Sequence, residues 1–323
     1  MTHEEYKKSL VEYFDSELPP RVYDAHFHLA TSYKKRPTCI GEPIDEYLSF
    51  TASVIPRPVV GGLMMPSPSS RHTAETLAIE NDYVVGVARE RGFKVGYIVT
   101  PTLQTPEEAN AYIDANADVI RALKPYHCYS TGADNFESDL CEYVPDWMLE
   151  IANERELPIV IHLSHYNDML LDPNNIRDIR SASKRFPKAK IVLAHCALGH
   201  HVRKLRLALP EIADLDNIYF DCSGIAESMS IYYTLKTFGV SRMMWGGDYA
   251  YGANLGRCIS FGSNFLGLHP GYLKDPLPRD YKYQPLDNTT EGTVALLEAM
   301  EVLSLTEKDY EDVFFNNAAN LYG

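Results

Sequence analysis

The chain has 323 residues, 45% of them hydrophobic and 23% charged, and a formal net charge of −14. That charge repels nucleic acid and anionic membrane surfaces, so both are excluded as partners; a small anionic substrate, which feels only local charge, is not. No apolar run reaches the roughly 18 residues of a membrane span, and the polar N-terminus MTHEEYKKSLVEYFDSELPP lacks an apolar stretch of signal-peptide length. A cytoplasmic location is expected. The six cysteines (Cys39, Cys128, Cys141, Cys196, Cys222, Cys258) are scattered, with no CxxC pair, and are read as reduced core thiols.

Residues 1–20 are polar and mildly helical, which predicts a helical extension covering one end of the fold. A strand follows in RVYDAHFHL (21–29). Further strand-like apolar runs lie at 59–65, 94–101, 119–127, 157–164, 189–196, 217–224 and 241–248. Most are nearly continuous apolar stretches, as expected for strands covered on both faces. Helical patterns at 74–92, 105–118, 144–156, 174–186, 201–215 and 227–239 separate them. The second opens with Thr105, then Pro106 and two acids, a strong start signal. Strands alternating with helices indicate parallel βαβ units. Eight such units without a composition break predict an α/β fold, a single-domain (β/α)8 barrel over 21–323. Residues 249–288, rich in Gly, Pro, Tyr and Asn, read as a long substrate-covering loop after the last strand.

Two histidines in the first strand raise the chemical question. Side chains alternate along a strand, so His26 and His28 share a face, with Phe27 opposite. A lone buried imidazole is commonly a core residue satisfied by a hydrogen bond. Two on one face each need a polar partner. His162, His195 and Asp248 close three other apolar runs, in IVIHLS, IVLAHC and MMWGGD. In a barrel, the C-terminal strand ends form the mouth where active sites are built. Imidazoles and a carboxylate converging there suit Zn(II), with Fe, Mn or Co as alternatives.

The set DAHFH, IVIHLSH, IVLAHC and WGGD, ending in FNNAANLYG, resembles the amidohydrolase superfamily. The branch it is most similar to holds aminocarboxymuconate-semialdehyde decarboxylase and the resorcylate decarboxylases, and the resemblance spans residues 22–323. It implies a distorted (β/α) barrel with one or two divalent ions. His26, His28, His162 and Asp248 match the ligand positions, and His195 is either a further ligand or an acid/base beside the metal. Many two-metal members bridge their ions with a carboxylated lysine on the fourth strand. Lys124 in ALKPYHCYS is therefore either such a bridge or a contact to a substrate carboxylate or carbonyl. Arg71, His127 and His165 are candidate substrate-binding residues.

Two chemistries follow, with a non-catalytic alternative. In a hydrolase of amides, esters or lactones, Asp248 would take a proton from a metal-activated water and His195 would polarise the carbonyl. In a decarboxylase of a small carboxylic acid, an acid such as His195 would protonate carbon as carbon dioxide leaves. The non-catalytic reading is a metal-binding barrel. Hydrolysis is preferred here because Lys124 occupies the strand where hydrolytic members use a lysine. A homo-oligomer is a further expectation.

Overall fold

The computed structural model describes residues 2–39, 41–132, 135–269 and 284–323. Eight parallel strands run in sequence order: β1 (Val22–Leu29), β2 (Val59–Pro66), β3 (Lys94–Tyr97), β4 (Ile120–Leu123), β5 (Pro158–Ile161), β6 (Lys190–Leu193), β7 (Ile218–Asp221) and β8 (Met243–Met244). Hydrogen bonds from Ala25 N–H to Trp245 O (3.1 Å) and from Asp248 N–H to His26 O (2.7 Å) join the first strand to the segment after the last. The result is the expected single-domain (β/α)8 barrel. No helix among the described residues is long and apolar enough to cross a membrane.

The helices follow their sequence signals closely. Ala74–Arg91 is capped by Thr73 and ends on Gly92 at φ +79°, a left-handed position that glycine tolerates. Thr105 and Glu108 form a capping box on Pro106–Ala115. Helices Pro43–Val54 and Asn288–Val302 lie outside the sequence-predicted set.

From β3 onward the strands are shorter than their apolar runs. After four residues or fewer the chain leaves the ladder and turns into the mouth, still buried. Lys124 and His162 thus sit one residue past β4 and β5, and His195 two past β6. Hydrophobicity reports burial on both sides of that boundary, so it could not locate where pairing stops.

β1 carries a feature the alternation rule did not foresee. Its partners run Asp24↔Gly62 and then Phe27↔Met64, leaving one extra residue on β1. The bulge reverses the parity of the strand. Tyr23 and Ala25 belong to the cluster inside the barrel, whereas Phe27 and Leu29 join the outer core beneath the helices. His26 and His28 are thereby turned inward together. The Asp24 carboxylate braces the bulge, accepting from His26 N–H (3.0 Å), Gly247 N–H (2.9 Å) and the Tyr47 hydroxyl (2.9 Å). Burial drives the Asp24 carboxyl up to about 7, against those three donors.

The inner cluster is built from Leu63, Met65, Ala122, Val160, Val192 and Met244, and Ala318 and Tyr322 of the C-terminal helix Asn317–Tyr322 pack into it. The N-terminal helix His3–Glu17 does not take that place: its Phe14, with Leu18 after it, packs into the outer core. The loop expected at 249–288 contains an antiparallel hairpin, β9 (Arg257–Phe261) and β10 (Asn264–Leu268); residues 270–283 lie outside the described residues. The thiol expectation holds for Cys196, Cys222 and Cys258, which are buried. Cys39 and Cys128 are half-buried and Cys141 is exposed; all six are free.

Phe27 anchors the outward face of β1, stacked on Tyr47 at 4.1 Å with Phe93 edge-on at 5.4 Å. Phe27→Ala should cost about 3–5 kcal/mol, read as a lower urea midpoint at unchanged slope.

Candidate metal centre

Side chains inside the barrel alternate, so Ala122 and Val160 in the inner cluster place Lys124 and His162 on the same inward-facing parity; Asp248, four residues past β8, is held beside β1 by its N–H bond to His26 O. β7 ends on Asp221, which is 1% exposed. His195 follows β6 in a different way: it opens a left-handed turn, with φ of +56°, +47°, +59° and +57° at His195, Cys196, Ala197 and Leu198. Left-handed residues other than glycine cost roughly 1–2 kcal/mol each. Burial of this turn offsets that cost and holds the imidazole over the mouth.

The imidazoles are fixed by their second nitrogens. His28 Nδ1 lies 2.8 Å from Pro66 O, His162 Nδ1 2.9 Å from Leu163 O, and His195 Nδ1 2.8 Å from Ser223 O. A carbonyl only accepts, so each Nδ1 carries the proton and each Nε2 presents a lone pair. His26 donates from Nδ1 to Asp221 at 3.0 Å, with the same consequence. His26 Nε2 and His28 Nε2 stand 3.2 Å apart. Asp248 Oδ1 is 3.7 Å from the first and 3.8 Å from the second.

Two donor groups result among the described residues, each with its ligand atoms within 4.8 Å of one another: His26, His28 and Asp248; and His26, His195 and Asp221. His162 is in neither group. Its ring lies 5.0 Å from that of His195, which is 4.9 Å from His26.

Electrostatics follow burial. Desolvation holds His28 and His162 well below the usual imidazole range, and lowers His195 to about 3. Burial works against ionisation of Asp221, but His26, His195 and the Ser223 hydroxyl outweigh it and hold the carboxyl below the ordinary range. Asp248 is pushed well above that range by burial and by Asp221, with Lys124 opposing. Lys124 is fully buried and lowered by desolvation to about 8, against the pull of Asp221 and Asp248.

Of the secondary candidates, His127 is brought close, its ring 5.3 Å from His162. His165 is not part of the donor groups; Glu137 (3.2 Å) and Asp139 (3.1 Å) engage its two nitrogens. Arg71 is on an exposed turn after β2. Asp221 was missed by the sequence reading. The signal was present, because NIYFDCSG ends its apolar run in an acid as the other mouth segments end in theirs. The alternatives for His195 also narrow. With its N–H committed to Ser223 O it offers a lone pair, suited to a ligand or a base and not to a donor for an oxyanion.

His127 and His200 are each lowered to about 4, by burial above all. The unfolded chain takes up protons near pH 6.5, where the folded form refuses them. Stability is therefore complete above pH 6.5 and falls as pH drops toward 4. Between pH 7 and pH 5 each group should remove about 2 kcal/mol by linkage. Urea midpoints at the two pH values, with His127→Gln as the flatter comparison, check it.

A nearly closed barrel whose mouth gathers four imidazoles and two carboxylates defines a class of (β/α)8 protein built to hold a cation at its strand ends. Within that class the chain belongs to the amidohydrolase family, whose profile matches residues 23–323. No curated protein matches its sequence. Among solved structures it is similar to an amidohydrolase from Burkholderia multivorans (12% identity, TM-score 0.59, covering 93% of this chain and 98% of that one). Similar too are 5-carboxyvanillate decarboxylase from Sphingomonas paucimobilis (15%, 0.58, 94% and 99%) and 4-oxalomesaconate hydratase from Rhodopseudomonas palustris (18%, 0.56, 93% and 95%). At these identities the likeness is one of fold. The family is one of enzymes, and its members include hydrolases and decarboxylases.

Proposed function

We propose that the protein is a metal-dependent hydrolase acting on an amide, ester or lactone bond of a small molecule. One observation carries the metal. Two neutral imidazoles, His26 and His28, point lone pairs at each other across 3.2 Å, with a carboxylate oxygen of Asp248 within 3.8 Å of both. Three electron-rich atoms so placed repel one another unless a cation lies among them. Nitrogen and carboxylate donors with a closed outer shell suit Zn(II). His26, His28 and Asp248 would hold the ion, with His195 and His162 as the flanking imidazoles.

When bound, such an ion supplies Lewis acidity and brings the pKa of a neighbouring water toward about 7. The remaining steps belong to the chain. The Asp248 carboxylate accepts the water proton and passes it to the leaving group. Asp221 keeps the His26 proton on Nδ1, so the Nε2 lone pair stays directed at the mouth. Hydrolysis is preferred to decarboxylation because Asp248 beside a cation is an ionised base, whereas carbon protonation calls for an acid. Alkali uptake with a lactone and ester panel, set against carbon dioxide release from 2,6-dihydroxybenzoate-type acids, separates the two. Proton release with the esters or lactones is expected; carbon dioxide without acid production overturns the reading.

A further inference from the structure

We propose that Lys124 anchors an anionic group of the substrate, so that this site is built for small organic carboxylates. The inference rests on the metal-centred reading above and adds the substrate class to it. Lys124 is 0% exposed, and its Nζ has no hydrogen-bond partner and no carboxylate within ion-pair distance among the described residues. Three N–H donors of a buried ammonium are idle. Leaving them so is costly, and a bound acceptor removes the cost.

The place of Lys124 decides what that acceptor is. It directly follows β4 with the inward parity of Ala122, which sends its side chain toward the mouth. Nζ stands 4.8 Å over the ring of Tyr126. The hydroxyl of Tyr126 lies 3.4 Å from His28 Nε2, and its ring stacks on His162 at 5.6 Å. The ammonium and the donor cluster thus share Tyr126 as a neighbour, Nζ over its face and His28 at its hydroxyl. A substrate whose reacting bond lies at His26, His28 and Asp248 can place a carboxylate on Nζ without leaving the barrel. The competing assignment is a carboxylated Lys124 bridging two ions. That would set a negative group against the face of Tyr126, which attracts a cation and repels an anion.

Calorimetric titration of the metal-loaded protein with benzoate and acetate, and with benzamide and acetamide as neutral counterparts, tests the assignment. At least one carboxylate should bind tenfold or more tightly than its amide, and Lys124→Met should abolish that preference while retaining the metal. A preference absent from the wild type, or surviving in Lys124→Met, overturns it. So does a carbamate carbon resonance that appears with ¹³C-bicarbonate in the wild type and is lost in Lys124→Met. The wild-type comparison of carboxylates with amides stands even if the variant fails to fold. Metal content is measured on the same samples: absence of metal overturns the hydrolase reading, whereas metal without carboxylate preference overturns only the role of Lys124.

Discussion

Asp248→Asn should lower kcat by about a thousandfold while leaving the chain folded. General-base catalysis by a positioned group contributes roughly 10²–10⁴ in rate, so a thousandfold loss is about 4 kcal/mol of barrier. The substitution keeps the local geometry. The backbone N–H of Asp248 bonds to His26 O at 2.7 Å irrespective of the side chain, and the residue sits at φ +51°, a region asparagine enters readily. What disappears is the negative charge facing the two Nε2 atoms and the capacity to take a proton. Unchanged near-UV circular dichroism together with a collapsed kcat is the expected pair. A kcat within tenfold of wild type would remove Asp248 from the chemistry.

Asp221→Asn should weaken the metal and the fold together. Its carboxylate accepts from His26 Nδ1 at 3.0 Å, from His195 N–H at 3.1 Å and from Ser223 N–H at 3.2 Å, with the Ser223 hydroxyl at 2.5 Å. An amide removes the anion and faces His26 Nδ1–H with either a weaker acceptor or a second donor. In the donor case the imidazole proton shifts to Nε2, where it blocks the lone pair that faces His28. Loss of such an orienting partner lowers metal affinity by roughly 10–100-fold. Weakening the hydrogen bonds to this buried carboxylate costs about 1.5–3 kcal/mol. Competition with a chromophoric chelator reads the first effect and urea denaturation the second. Wild-type values in both would mean that Asp221 orients nothing.

The barrel and much of its mouth were legible because the information was local. Alternating apolar runs and capped helices give eight βα units; His28, His162, His195 and Asp248 each stand at or near the end of such a run, with His26 two residues before His28 within β1. What was not legible depends on partners distant in sequence. The β1 bulge exists only relative to Gly62 and Met64, and it is the bulge that makes Tyr23 and His26 share a face despite their odd spacing. Strand ends in the mouth are set by where a neighbour stops pairing, which hydrophobicity does not record. The left-handed turn at His195–Leu198 opposes the propensity of its own residues and is stable only when buried. The tautomer of each imidazole is set by carbonyls from other segments, Pro66 for His28 and Ser223 for His195. Of the roles read for His195, that choice keeps ligand and base and removes the oxyanion partner.

The central claim is that His26, His28 and Asp248 share a cation. Metal content by mass spectrometry, on protein purified without chelator and reloaded with Zn(II), tests it directly, with His26→Ala alongside. At least one equivalent per chain is expected in the wild type and none in the variant. A wild-type chain that stays metal-free after reloading, or a His26→Ala chain that holds as much as the wild type, would contradict the account.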